Sequence, residues 1–350
     1  MNIKELIPSN WIIKNNANSI SIWYSANRGN HNRKSFTFPK EIEVNENFAE
    51  AIGLFLGDGD MHNKSKTHLT YCSRDLDIAS FVMSFLRERL SLSTKDITIF
   101  VKYGKISPQI DNIAEKLNVD AYQIKTQYTD RHRYPAIHLQ VNGVVFRLIF
   151  EKIVDHFIHS NFLHDNELRR GFLRGIFAAE GCVGINYQEF FINSISFTLA
   201  SHEEEIVNIL QKALSLEGIS FKKAYRKSTI ETIISNWQNY LKCWQIGLFD
   251  RCERKKQAFL SVAKKSQVYA VVDYADLKKL SEQFKQKELA EIIGSWQGNV
   301  SRILRGNILL SLEQIRILEQ KGINFSIKSL RMGNLTDLYY SKEIRGLFEE

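Results

Sequence analysis

Two apolar runs, each ending in an acid and a glycine, constrain this chain more than any other feature. They are Ala51-Ile-Gly-Leu-Phe-Leu-Gly-Asp58-Gly59 and Leu173-Arg-Gly-Ile-Phe-Ala-Ala-Glu180-Gly181. In each, small residues stand four apart, Gly53 and Gly57 in the first and Gly175 and Ala179 in the second. Glycine inside a helix costs roughly 1 kcal/mol relative to alanine, so this usage needs a reason. Residues four apart share one helix face, and a face of small residues lets two helix backbones approach closely. Gly59 and Gly181 fit the left-handed position that ends a helix, which puts Asp58 and Glu180 at helix C-termini. The macrodipole disfavours an anion there, and packing the two helices together crowds two carboxylates. A bound divalent cation resolves both penalties, because hard cations prefer clustered carboxylate oxygens. The bland alternative is a pair of packing helices that happen to end in acid-glycine turns. Its occurrence twice in one chain favours function.

These residues resemble the signature of the LAGLIDADG homing endonucleases in their single-chain, two-motif form. Gly53, Leu54, Asp58 and Gly59 match it in the first copy. Leu173, Gly175, Ala179 and Gly181 match it in the second, with Glu180 as the carboxylate. The acid found earlier in the signature is replaced by Leu56 and Ala178. The resemblance spans roughly residues 35 to 265.

A chain of 350 residues is too long for one ordinary domain, and two or three are expected. The net charge of +8 suits a polyanionic partner. No apolar run reaches membrane-spanning length and no secretory leader is apparent, so a cytoplasmic or organellar-matrix protein is expected. Cys72, Cys182, Cys243 and Cys252 lack metal-binding spacing, which argues against structural zinc or disulfides.

Read in order, residues 1–44 form an extended arm, with a strand at Ser19–Tyr24 and a basic turn at Arg28–Lys34. The first repeat, residues 45–162, starts at an N-cap on Asn45 or Asn47. Its pattern continues as a strand at Thr67–Ser73, a helix at Asp75–Leu90, strands from Ile97 and from Ile137, and a helix at Val144–Phe157. An insertion at about 107–135, helical at Ile110–Leu117, interrupts it. The second repeat, residues 163–268, reads as a signature helix at 168–180, strands near Val183–Phe191 and Ser194–Ser201, and a helix at Glu203–Leu216. A strand at Ile219–Arg226, another at Tyr240–Phe249 and a closing helix at Arg254–Lys264 complete it. The echo of Leu139-Gln140-Val141 in Trp244-Gln245-Ile246 sets the register between copies. The fold class expected is α+β: two pseudo-symmetric αββαββα units forming a DNA-binding saddle, plus a small all-α domain at residues 269–350.

Free sheet faces of this kind suit DNA, since β-ribbons enter the major groove, where Lys and Arg read guanine and Gln or Asn read adenine. The candidates are Lys102, Lys105 and Gln140 in the first repeat and Lys222, Lys223, Arg226, Lys227 and Gln245 in the second. Each alone is more readily an ordinary solvated side chain; the duplicated placement gives them weight as a group. Gln286–Gly306 has helix-turn-helix spacing, with Ala290 at the helix crossing, Gly294 in the turn, and Val300 and Ile303 seating the second helix. It resembles the lambda-repressor-like helix-turn-helix family, and Gln297, Asn299, Arg302 and Arg305 would then contact DNA.

The LAGLIDADG resemblance implies staggered hydrolysis of both strands of a long asymmetric duplex by a monomer with internal pseudo-two-fold symmetry. It implies that Asp58 and Glu180, with the backbone of Gly57 and Ala179, hold Mg²⁺ or another divalent cation such as Mn²⁺. A basic residue beside each scissile phosphate is implied as well. Arg254, Lys255 and Lys256 stand at that place in repeat two, with Lys255 and Lys256 taken as catalytic, and Arg147 and Lys152 stand at the comparable place in repeat one. Arg74 and His202 are candidates for orienting solvent. Two alternatives remain open: a DNA-binding regulator of the same fold that does not cut, and an intron RNA maturase.

Overall fold

The computed structural model describes residues 1–9, 11–23, 35–60, 67–131, 133–186, 191–263 and 268–332. The basic turn Arg28–Lys34 lies outside the described residues, as do Lys264 and the tail beyond residue 332. Among the described residues, no helix is long and apolar enough to cross a membrane. The chain divides into two compact units. One comprises Met1–Cys182, Ser196–Ile233 and Lys242–Lys256; the other comprises Val183–Ile195, Ile234–Leu241 and the residues from Gln257 onward.

The first unit opens with helix α1 (Ile3–Leu6) and strands β1 (Ile12–Asn15), β2 (Ser19–Trp23) and β3 (Phe36–Pro39), paired in the order β1-β2-β3. This corrects the expectation of an extended arm. Ile20, Ile22, Phe36 and Phe38 are buried, and the Phe38 ring stacks at 5.7 Å on Phe146. Apolar residues on alternate positions commit the segment to the core instead of leaving it free.

Helix α2 (Glu46–Asp58) starts where Asn45 accepts a hydrogen bond from the Phe48 amide, which selects Asn45 as the cap. Strand β4 (His68–Ser73), helix α3 (Leu76–Ser84) with a π-helical last turn at Phe85–Arg89, and strand β5 (Ile97–Tyr103) follow. The insertion contributes helix α4 (Ile110–Leu117) and a strand not foreseen, β6 (Ile124–Tyr128). Strand β7 (Ala136–Asn142) and helix α5 (Val144–Ile158) close the repeat. The sheet order is β4-β7-β5-β6; β7 is antiparallel to both neighbours, while β6 runs parallel to β5. In β4, β5 and β7 alternate residues are buried under the helices, leaving the other face open. An aromatic cluster of Phe48, Phe55, Tyr71, Phe85, Phe150 and Phe157 fills the core, with Phe55 and Phe150 rings 4.7 Å apart.

The second repeat runs α6 (Asn166–Glu180), β8 (Gly181–Asn186), β9 (Phe191–Ala200), α7 (Glu204–Leu216), β10 (Lys222–Tyr225), β11 (Thr229–Ile234), α8 (Trp237–Gln245) and α9 (Glu253–Ala263). Its sheet order is β10-β11-β9-β8. The fourth strand is therefore Thr229–Ile234, and the strand expected at Tyr240–Phe249 is corrected: Gln245 ends a helix. Thr-Ile-Glu-Thr-Ile-Ile carries the period-two alternation of a half-buried strand, whereas Tyr240, Leu241 and Cys243 bury one side of a helical turn. The echo between residues 139–141 and 244–246 was coincidental.

In the second unit, strand β12 (Val268–Val272) leads to helices α10 (Tyr274–Gln283), α11 (Gln286–Ile292) and α12 (Gln297–Leu304). Strand β13 (Leu310–Ser311), helix α13 (Leu312–Glu319) and strand β14 (Ile327–Met332) follow. The sheet β13-β12-β14 corrects the all-α expectation for residues 269–350. The turn between α11 and α12 passes through Gly294 at φ 59°, while Leu289, Ala290, Val300 and Ile303 are buried.

Candidate functional site

Helices α2 and α6 meet along the small-residue face. A β-carbon on Gly53 would stand 2.5 Å from the Phe172 carbonyl oxygen, and one on Gly175 would stand 2.0 Å from that of Glu50. Gly171, which the sequence reading passed over, extends the same face against Glu46, and Gly57 meets Ala179. Backbone-to-backbone contact is what the repeated glycines secure. It carries the last turns of both helices, with Asp58 and Glu180, to one place.

The terminal glycines do a different job from the one expected. Gly59 and Gly181 have φ of −81° and −78°, extended and not left-handed. A β-carbon on either would strike the carbonyl oxygen of Phe55 or Phe177, at 2.3 and 2.4 Å. The chain thus leaves each helix directly as strand-like backbone, with Gly59 bridged to Tyr71 and Gly181 beginning β8.

Burial raises the Asp58 pKa to about 6; Lys255 opposes that rise and Asp75 adds to it. Burial raises Glu180 to about 7, reinforced by Asp58 and Glu203 and opposed by Lys255. Glu180 therefore senses the charge of Asp58. The Tyr71 hydroxyl is buried and, among the described residues, lacks a hydrogen-bond partner; burial and then Asp58, Cys72, Asp75 and Cys252 raise its pKa.

Lys255 is buried and donates to the carbonyls of Phe177, Ala178 and Ala179 at 2.8, 2.7 and 3.2 Å. Its ammonium caps the last turn of α6, beneath Glu180, where the helix dipole favours a cation. That spends its donors on backbone and not on a phosphate. Lys256 is turned to Asp250 at 2.8 Å and to the Trp244 ring, and nothing in its contacts brings it to the acids. Arg254 pairs with Asp75 at 2.9 Å, and this pairing holds the Asp75 carboxylate below its usual range against the opposing effect of burial. In repeat one, Arg147 is buried and bound to Glu151 and to the His68 carbonyl. Arg74 is exposed, and His202 lies in the 3-10 turn Ser201–Glu203.

A concavity of about 490 Å³ on the open face of the first sheet is lined by Asp58, Lys102, Gln127, His138 and Gln140, among others. Three expected residues, Asp58, Lys102 and Gln140, thus share one surface; Lys105 lies exposed just past β5. In the second sheet, Lys222 pairs across with the half-exposed Ile233, while Lys223 pairs with the buried Thr232 and salt-bridges Glu204 of α7 at 3.4 Å. Lys223 consequently belongs to the helix-covered face. Arg226, bound to Glu231, and Lys227 are exposed at the hairpin turn. Gln297, Arg302 and Arg305 are exposed on or just past α12, with Asn299 half-buried. Asp75 and Glu203, the acids that bear on Asp58 and Glu180, were not singled out from sequence. Asp75 stands just after β4, beside Arg74, and Glu203 just after β9, beside His202.

The donor set suits a hard divalent cation. Two carboxylates whose pKa values burial raises to about 6 and about 7 gain from a counter-charge, and the Gly57 backbone oxygen lies one residue away, while that of Ala179 also accepts from Lys255. Among the described residues no three His, Cys, Asp or Glu side chains cluster as a metal cage, so further ligands would come from water and substrate.

Residues 48–119 match the WhiA LAGLIDADG-like domain, and residues 167–243 match the LAGLIDADG-like domain. The chain carries two LAGLIDADG-like segments. They coincide with α2 and α6 and with the strands that follow each. No curated protein matches the sequence. Among solved structures, the full-length WhiA protein of Thermatoga maritima is similar over 81% of this chain and 87% of that one, at 12% identity and TM-score 0.38. A mesophilic variant of the homing endonuclease I-DmoI is similar over 58% and 96%, at 12% identity and TM-score 0.36. The LAGLIDADG meganuclease I-AabMI, bound to uncleaved DNA, is similar over 73% and 97%, at 14% identity and TM-score 0.32.

Proposed function

We propose that this chain is a site-specific DNA endonuclease that cuts both strands of a long, asymmetric duplex with the help of a divalent cation, Mg²⁺ or Mn²⁺. The observation that carries the reading is the pair Asp58 and Glu180, delivered by two helices in backbone contact, with pKa values raised to about 6 and about 7. A fold that only bound DNA would gain nothing from two acids held where burial and repulsion oppose their charge.

When bound, the cation would acidify water and stabilise the charge that develops on phosphorus and on the departing 3′ oxygen. Asp58 and Glu180 would hold it, with the Gly57 and Ala179 carbonyls beside them. Lys255 acts through α6: it fixes the turn that presents Glu180 and keeps both carboxylates more acidic than burial alone allows. Lys102 and Gln140 on the first sheet, and Lys222 and Arg226 on the second, would contact the duplex. In the second unit, α11 and α12 would act as a helix-turn-helix, with Gln297, Asn299, Arg302 and Arg305 toward DNA.

A second reading, a DNA-binding regulator that does not cut, has its own support in the WhiA-type match of residues 48–119. One experiment separates the two. Duplex DNA carrying the gene's insertion junction, sealed into an uninterrupted site, is incubated with Mg²⁺ and wild type, Asp58→Asn or Glu180→Gln protein. A double-strand cut abolished in both variants, with binding retained, is expected. Tight binding with no cut in any divalent metal would leave the regulator.

A further inference from the structure

The inserted segment at 107–135 does more than lengthen a loop. Helix α4 buries Ile113, Ala114 and Leu117, and it is tied down by Ser80 donating to the Lys116 carbonyl at 2.7 Å and Arg87 donating to that of Asn118 at 3.3 Å. A parallel strand pair needs a crossover of a dozen residues or more, and α4 is that crossover between β5 and β6. The result is a strand added to the sheet edge in fixed register: Phe100 opposite Lys125, Val101 opposite Thr126 and Lys102 opposite Gln127.

Side chains alternate across a strand, so register decides which of them share the open face. Ile99 and Val101 are buried, while Phe100 and Lys102 face out. Lys125 and Gln127 therefore lie on the open side, and both are exposed. The Lys125 ammonium stands 5.8 Å from the Phe100 ring centroid. Gln127 lines the same concavity as Asp58, Lys102 and Gln140. Across the sheet these positions form continuous rows, Cys72-His138-Phe100-Lys125 and Ala136-Lys102-Gln127.

We infer that β6 is a specificity element, whose Lys125 and Gln127 read base edges of double-stranded DNA beyond those reached by β4, β5 and β7. The inference rests on the DNA-binding part of the proposed function. Gln is suited to a bidentate contact with adenine and Lys to guanine, and a strand face is a recognised way into the major groove. Among the described residues no strand of the second sheet lies beyond β10 as β6 lies beyond β5.

The test uses the sealed-junction duplex and a set of duplexes in which each base pair of the first half-site is replaced in turn. Binding and cleavage profiles are measured for wild type, Lys125→Ala, Gln127→Ala and Thr126→Ala, the last altering the opposite face. Wild type and Thr126→Ala should discriminate at one or two positions by about tenfold to a hundredfold, the range of one bidentate contact. Lys125→Ala or Gln127→Ala should lose that discrimination there alone, and keep it elsewhere. A protein that cuts with one unchanged profile in all four forms overturns the inference and spares the nuclease. A profile relaxed by Gln127→Ala in a protein that never cuts overturns the nuclease and spares the inference.

Discussion

The carbonyl oxygen of Glu50 lies 2.0 Å from where a β-carbon on Gly175 would stand. Two opposing effects would follow from Gly175→Ala. Alanine is the better helix former by roughly 1 kcal/mol. Against that, backbone would have to be displaced along an interface where Gly53 and Gly171 are also tight, at 2.5 and 2.3 Å, and overpacking of this kind costs about 3 kcal/mol. The clash should win, with a net loss of about 2 kcal/mol in denaturant unfolding. An alanine variant as stable as wild type would mean the helices are not in backbone contact.

Lys255 lowers the pKa of both acids while its own is lowered by burial. Lys255→Met removes a cation from beside two carboxylates, so both should hold their protons to higher pH. The expected outcome is a pH–rate profile for cleavage displaced to the alkaline side, with activity at pH 7 down on the order of tenfold. Lys255→Arg, which keeps the charge, should restore the profile in part. A fall in rate with the profile unmoved would make Lys255 a purely structural cap.

Raised acid pKa values predict how stability varies with pH in metal-free solution. Between the ordinary carboxylate range and about 7, the folded chain holds protons at Asp58 and Glu180 that the unfolded chain has released. Stability should therefore fall as pH rises through that window and level off above it. Asp58→Asn and Glu180→Gln should each be more stable than wild type at pH 8, by on the order of 1 kcal/mol once screening at a solvent-open site is allowed for. At pH 4 the gain should vanish. Thermal unfolding in chelator at both pH values measures it, and equal curves at pH 8 would show the acids to be unstrained.

What was legible in the sequence was what repetition and strong periodicity carry. Glycine and alanine four apart could only mean close helix packing, and Asp58 and Glu180 followed from it. Alternation in residues 68–73, 97–103 and 137–142 placed the first open face, and with it Lys102 and Gln140. Three features escaped for physical reasons. Gly59 and Gly181 were assigned to left-handed turns because a helix-ending glycine usually is one, whereas here the demand is steric, against the carbonyls of Phe55 and Phe177. The short strand Thr229–Ile234 was passed over for an aromatic run at 240–249 whose burial follows a helix. Strand β6 has only Ile124 buried, so its hydrophobic pattern is silent, and its pairing comes from the α4 crossover.

Strand alternation separates two adjacent lysines that composition treats alike. Lys222 lies opposite Ile233 on the open face, whereas Lys223 lies opposite buried Thr232, held by Glu204 at 3.4 Å and within 5.0 Å of the Tyr225 ring centroid. A lysine that neutralises one phosphate releases about one counterion, which lowers the slope of log affinity against log salt by about 0.9. Lys222→Ala should therefore flatten that slope by about one and weaken binding to all duplexes alike. Lys223→Ala should leave the slope unchanged, because its charge is already answered within the fold. Titrations of the sealed-junction duplex over a range of salt concentrations measure both, and the reverse pattern would place the DNA on the helix-covered side of the second sheet.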